Sequence, residues 1–104
     1  MSESQPEFEE QVVSETSDEV IEPPLFKVLL HNDDYTTMEF VVEVLITVFR
    51  KSAEEAARIM LNVHHQGIGL CGVFPYELAE TKVETVEALA RERGFPLKCT
   101  MEKE

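Results

Sequence analysis

This 104-residue chain has no tryptophan, four glycines, two cysteines and only nine basic residues against twenty-one acidic ones. Each shortage excludes something. With so few bases, no basic patch can displace counterions from phosphates, which argues against nucleic acid and equally against an anionic membrane surface. Two cysteines, Cys71 and Cys99, are too few for a disulfide scaffold and sit inside apolar strand patterns. Reduced, buried thiols in a cytosolic protein are the expectation. The chain shows neither a charged-then-apolar leader nor an apolar run of the ~20 residues needed to span a bilayer, so a cytoplasmic protein is expected.

The net charge of −12 is unevenly placed. Residues 1–24 hold eight acids and no Lys or Arg, carry several serines, lack a sustained period and end in Pro23-Pro24. That composition predicts a disordered acidic N-terminal extension, with the isolated pairs Val12-Val13 and Val20-Ile21 as a weak docking segment at most. The pattern changes at Leu25, and residues 25–104 form one small domain. A chain of that size can bury roughly 60–65% of its unfolded surface and fold without staples.

Within the domain, Phe26, Val28 and Leu30 alternate with Lys27, Leu29 and His31, which predicts a strand. Thr36-x-x-Glu39 reads as a capping box opening a helix, with Met38, Val41, Val42, Leu45, Val48 and Phe49 at helical spacing. Ser52-x-x-Glu55 opens a second helix with Ala56, Ile59, Met60 and Val63 on one face, and Gly67 ends it. Ile68 to Phe74 reads as a strand in which Gly69 and Gly72 allow close backbone approach. Pro75 starts a third helix with Leu78, Val83, Val86, Leu89 and Ala90 as its stripe, and Gly94 closes it. Leu97, Cys99 and Met101 alternate in a last strand. The order β-α-α-β-α-β predicts a small α+β sandwich with the helices on one side of the sheet.

Chemistry concentrates in Asn32-Asp33-Asp34-Tyr35-Thr36, between the first strand and the first helix. Acids beside apolar surface are costly unless they meet a cation. A peptide α-ammonium has three donors. Asp33 offers a charged acceptor, the Asn32 side-chain oxygen a neutral one, and His64 a third through an unprotonated ring nitrogen, should the two helix-flanking loops meet. Met38, Met60 and Val63 supply a soft apolar wall beside them, although spacing alone fits an ordinary core equally well. Other chemistries lack their residues. His64-His65 and His31 are not at metal-ligand spacing, so no metal is expected, and His31 and His65 read as satisfied or solvated. Cys71 lies mid-strand and Ser52 is taken up by capping, which leaves no activated nucleophile and no expectation of an enzyme.

On these residues the chain resembles the ClpS family, adaptors of the bacterial ClpA-ClpP protease. The resemblance covers about residues 24–104 and rests on ordered motifs. They are Val28-Leu29-Leu30-His31-Asn32-Asp33-Asp34-Tyr35-Thr36, Met38-Glu39-Phe40-Val41, Val63-His64 with Gln66-Gly67, Cys71-Gly72-Val73-Phe74, Glu77-Leu78-Ala79-Glu80-Thr81-Lys82-Val83, and Pro96-Leu97-Lys98-Cys99-Thr100.

The resemblance implies recognition of N-degrons, substrates with a free α-amine and a Leu, Phe, Tyr or Trp first residue, for delivery to the protease. It also implies a three-stranded antiparallel sheet with three helices, an arrangement similar to the ribosomal L7/L12 C-terminal domain. Asn32, Asp33 and His64 would hold the α-amine, with Asp34 nearby. Thr36, Met38, Met60, Val63 and Leu97 would line or gate the side-chain pocket, Met38 excluding β-branched residues. Glu77 and Lys82 would contact the N-terminal domain of a ClpA-type unfoldase, although sequence chemistry shows only two exposed charges there. The extension would be engaged by the unfoldase, since 24 stretched residues reach about 80 Å. No cofactor is implied, and a monomer is the default. One departure is Thr37, where the family usually has proline; a threonine there can still cap. The competing expectation is a protein-protein scaffold module that does not grip a chain end.

Overall fold

The computed structural model describes residues 22–104. Most of the expected acidic extension, including Val12-Val13 and Val20-Ile21, lies outside the described residues; residues 22–24 are exposed and belong to no element. The elements run β1 (Leu25–His31), α1 (Met38–Thr47), α2 (Ala53–Gln66), β2 (Ile68–Pro75), α3 (Tyr76–Arg93) and β3 (Lys98–Lys103). β1 is the central strand, with β2 and β3 antiparallel on either side. The β1–β2 register shifts between Val28 and Leu29.

Alternation decides which face of the sheet is buried. Val28 and Leu30 of β1, Cys71 of β2 and Cys99 of β3 are all almost fully enclosed and share one cluster with Val44, Leu45, Ile59 and Val86 from the helices. Each Leu- or Val-sized side chain taken out of water contributes about 1.5–3 kcal/mol, so this cluster is the main stabilising term. Both cysteines are free and buried. Burial pushes the Cys99 thiol up to about 12 and Cys71 higher still, which keeps both protonated. His31 is satisfied on the sheet, its Nε2 2.7 Å from the Thr100 hydroxyl. Among the described residues, no helix is long and apolar enough to cross a membrane.

The element boundaries and inward faces correct the sequence reading in several places. α1 is capped by Thr37, whose hydroxyl accepts from the Phe40 N–H at 3.1 Å, and not by Thr36. Thr36 is drawn into the preceding loop instead. In α3 the inward positions are Ala79, Val86 and Ala90, with Val83 packed against them. These fall at i, i+4, i+7 and i+11, one helical face. Leu78 is one position off that face and stands 46% exposed. The last strand starts at Lys98, one residue after Leu97, and α1 buries Phe40 and Val44 where the stripe had placed Met38 and Val42. The Ser52 and Gly67 signals behave as read. The Ser52 hydroxyl accepts from Glu55 N–H at 3.1 Å, and Gly67 ends α2 at φ 86°, in the left-handed region that favours glycine.

Candidate functional site

The loop between β1 and α1 is organised by one carboxylate. Asp33 Oδ1 accepts from the Tyr35 N–H at 2.8 Å and the Thr36 N–H at 2.6 Å, and Oδ2 accepts from the Thr36 hydroxyl at 2.7 Å. A carboxylate has about four acceptor sites, so three are in use and roughly one remains, along with the negative charge. Burial acts to raise the Asp33 pKa, but the bonds from Thr36 and Tyr35 outweigh it and hold the carboxyl below its ordinary range. The Asp33 charge also lies close to the N-terminus of α1, where the helix dipole favours an anion.

A second tether fixes where this loop lies. The Asn32 N–H donates to the Gly67 carbonyl at 2.9 Å, joining the end of β1 to the turn that closes α2. His64, one turn earlier on α2, is thereby brought to the same place. Its ring meets that of His65 edge-on, centroids 5.1 Å apart. Gly69 permits this approach, because a Cβ there would stand 2.5 Å from Val63 Cγ2. A methyl at that position would displace α2 from β2 and move Val63.

Asn32, Asp33, Asp34 and His64 form the polar side of a single cavity of about 230 Å³. Thr36, Met38, Val41, Met60 and Val63 form the rest of its wall. The expected amine-holding residues and four of the five expected pocket residues therefore meet in one concavity. Leu97 does not line it. It is buried at the turn before β3 and faces a separate hollow with Glu87, Ala90 and Phe95, because Gly94 redirects the chain beneath α3. Val41 was missed as a lining residue; it lies three positions after Met38, on the same helical face.

Met38 is 44% exposed at the rim, where a flexible thioether can move aside or close over a guest. Chemically, the cavity offers charged and neutral acceptors at one end and apolar walls beyond. That arrangement suits a short cation carrying a bulky apolar group. Among the described residues no cluster of three His, Cys, Asp or Glu could hold a metal ion.

Glu77 and Lys82 lie on α3, away from this cavity. Glu77 is exposed in the first turn, between exposed Tyr76 and Leu78. Lys82 is not the solvated charge the sequence suggested. Its Nζ donates to the Val48 carbonyl at 2.7 Å and lies 5.6 Å and 5.9 Å from the ring centroids of Phe74 and Phe49. α1 has no basic residue in its own last turn, so Lys82 supplies from α3 the cation that its C-terminus favours.

The family model described as ATP-dependent Clp protease adaptor protein ClpS matches residues 21–100. An ATP-dependent Clp protease adapter protein ClpS from Desulforapulum autotrophicum is 59% identical over 104 residues, spanning all of both chains. One from Maricaulis maris is 66% identical over 82 residues, 79% of this chain and 75% of that one. Among solved structures, Agrobacterium tumefaciens ClpS2 bound to L-phenylalaninamide superposes with a TM-score of 0.77 at 44% identity, covering 80% of this chain and all of that one.

Proposed function

This chain belongs to the ClpS family of ATP-dependent Clp protease adaptors, and from that premise we propose how its residues divide the work of recognising an N-degron and handing it to the protease. The α-amine of the substrate is held by Asp33, Asn32 and His64, with Asp34 adding negative charge nearby. The first side chain enters between Thr36, Met38, Val41, Met60 and Val63. The carrying observation is the shared cavity, with acceptors along one side and apolar walls along the other. A chain end presents just that pair of features, an ammonium one bond from the atom that bears the side chain. L-phenylalaninamide, the ligand of the Agrobacterium relative, presents the same pair.

Docking to the protease is assigned to α3, with Glu77 and Lys82 facing the N-terminal domain of a ClpA-type unfoldase. The exposed Tyr76 and Leu78 beside Glu77 add apolar area to that face. The adaptor makes no bond and breaks none; cleavage belongs to the protease it serves. It works as a monomer in the cytoplasm, and the acidic extension is the part the unfoldase engages.

The test is fluorescence anisotropy with two labelled peptides that differ only at the first amine, one free Phe and the other N-acetyl-Phe. The free form is expected to bind and the acetylated form to lose binding, because acetylation removes the charge and adds bulk where Asp33 meets a cation. Equal binding of both would sink the amine assignment and favour a scaffold module that docks on a chain without gripping its end.

A further inference from the structure

A second, larger concavity of about 590 Å³ adjoins the first and shares two of its residues, Met38 and Met60. Its floor continues along α1 through Val42 and Ile46, the latter 37% exposed, with Glu39 and Glu43 on its rim. We propose that this groove receives the side chain of the third residue of a bound substrate and favours an apolar one there. The inference rests on the amino-end reading above and extends it to a specificity determinant further along the substrate.

Continuity and length point to the substrate as the occupant. Met38 and Met60 line both concavities, so a chain whose first side chain lies in one can continue across them into the other. Met38 to Ile46 is eight residues of helix, about 12 Å at 1.5 Å per residue. An extended peptide advances ~3.3 Å per residue and turns alternate side chains to the same side. The third side chain thus points the same way as the first, about 6.6 Å along, close to the ~6 Å rise from Met38 to Val42 on α1. The second points away from the surface.

Charge argues against the obvious competing occupant, the chain's own N-terminal segment. Residues 1–24 carry eight acids and no Lys or Arg. The rim they would cross is acidic as well. Glu43 is paired with Arg93, its Oε2 accepting from Nη2 at 2.6 Å, whereas Glu39 has no ion-pair partner among the described residues.

The test uses the full chain and free-ended peptides Phe-Ala-Ala, Phe-Leu-Ala and Phe-Ala-Leu on a common soluble tail, with N-acetyl-Phe-Ala-Leu as control. Leucine at position three is expected to tighten binding roughly fivefold over Phe-Ala-Ala, in keeping with partial burial of one side chain. Leucine at position two should change little. Ile46→Ser should erase the position-three gain while leaving Phe-Ala-Ala binding and the melting temperature unchanged. Ile46→Gln, which removes the apolar surface while keeping good helix propensity, is the second variant should Ile46→Ser unfold. Equal binding of Phe-Ala-Leu and Phe-Ala-Ala, a gain at position two alone, or a gain that survives both variants would overturn the inference. Failure of the underlying amine reading looks different: the acetylated control would then bind as well as the free peptide.

Discussion

Asp33 and Lys82 are charges at the two surfaces proposed to meet other molecules, and each is also used inside the fold, in different ways. Asp33 takes three bonds from its own loop within three residues of itself. Lys82 reaches across thirty-four positions to the Val48 carbonyl. The loop around Asp33 is therefore set locally, and Asp33, with acceptor capacity to spare, lines the cavity. Lys82 is turned inward over two aromatic rings, so any contact it makes with a partner must compete with its hold on α1. The first charge can be preorganised for a ligand by the bonds it accepts; the second must be shared.

The largest effect is expected from separating the two roles of Asp33. Asp33→Ala removes both the loop bonds and the charge, and should cost about 2 kcal/mol or more of peptide affinity, roughly thirtyfold, if the ammonium pair is desolvated. Asp33→Asn keeps an oxygen able to accept from the Tyr35 and Thr36 amides while losing the charge. It should hold the melting temperature near wild type and still bind a Phe-initial peptide at least tenfold more weakly. Anisotropy titrations with thermal melts check both. Wild-type affinity in Asp33→Asn would leave Asp33 a loop organiser and nothing more.

Lys82 should give a smaller effect, seen first in stability. Lys82→Met retains the stem over Phe49 and Phe74 but cannot donate to Val48. A hydrogen bond from a charged donor contributes about 1–2 kcal/mol in a part-buried setting. For a domain of about 80 residues that is a fall of roughly 5–15 °C in Tm. Glu77→Gln, at an exposed site without such a bond, should lower Tm by a few degrees at most, through loss of one first-turn charge at the α3 N-terminus. If both variants lose unfoldase binding, Lys82→Met should do so with the larger loss of stability. An unchanged Tm in Lys82→Met would remove the structural half of the comparison.

What was legible in the sequence follows the same division between local and distant. The strands of the sheet, the Ser52 cap and the glycines at 67 and 94 depend on near neighbours and on period, and all were readable. Choosing between Thr36 and Thr37 as a cap was not, because either hydroxyl suits an N-cap. The demand of Asp33 for Thr36 decides it. The groove was hidden for another reason. Phe40 to Phe49 is apolar at nearly every position, so the stripe read from spacing passes over Phe40 and Val44, both enclosed, and includes Met38, which stands 44% exposed. That outcome depends on how α1 packs on α2. The Lys82–Val48 bond likewise has no local signature, and sequence could not say that Leu97 lines the hollow beside Glu87, Ala90 and Phe95.

The smallest effect is a pH dependence, and its sign is set by the bonds to Asp33. A carboxyl held below its ordinary value favours the folded, charged state above its unfolded pKa and loses that advantage as pH falls through the folded one. The ordinary value is 3.8, and Asp33 lies below it. The ratio of wild-type to Asp33→Asn affinity for a Phe-initial peptide follows this group, because the Asn variant lacks the carboxyl that takes up the proton. That ratio should be flat from about pH 7 to pH 5 and begin to close only below 3.8. The loop should loosen in the same window, read as faster exchange of the Tyr35 and Thr36 amides relative to the Asn variant. A ratio already closing at pH 5 would mean that burial outweighs the three bonds. Asp33 would then be a strained carboxyl next to apolar surface, not one preorganised by its loop to meet a cation.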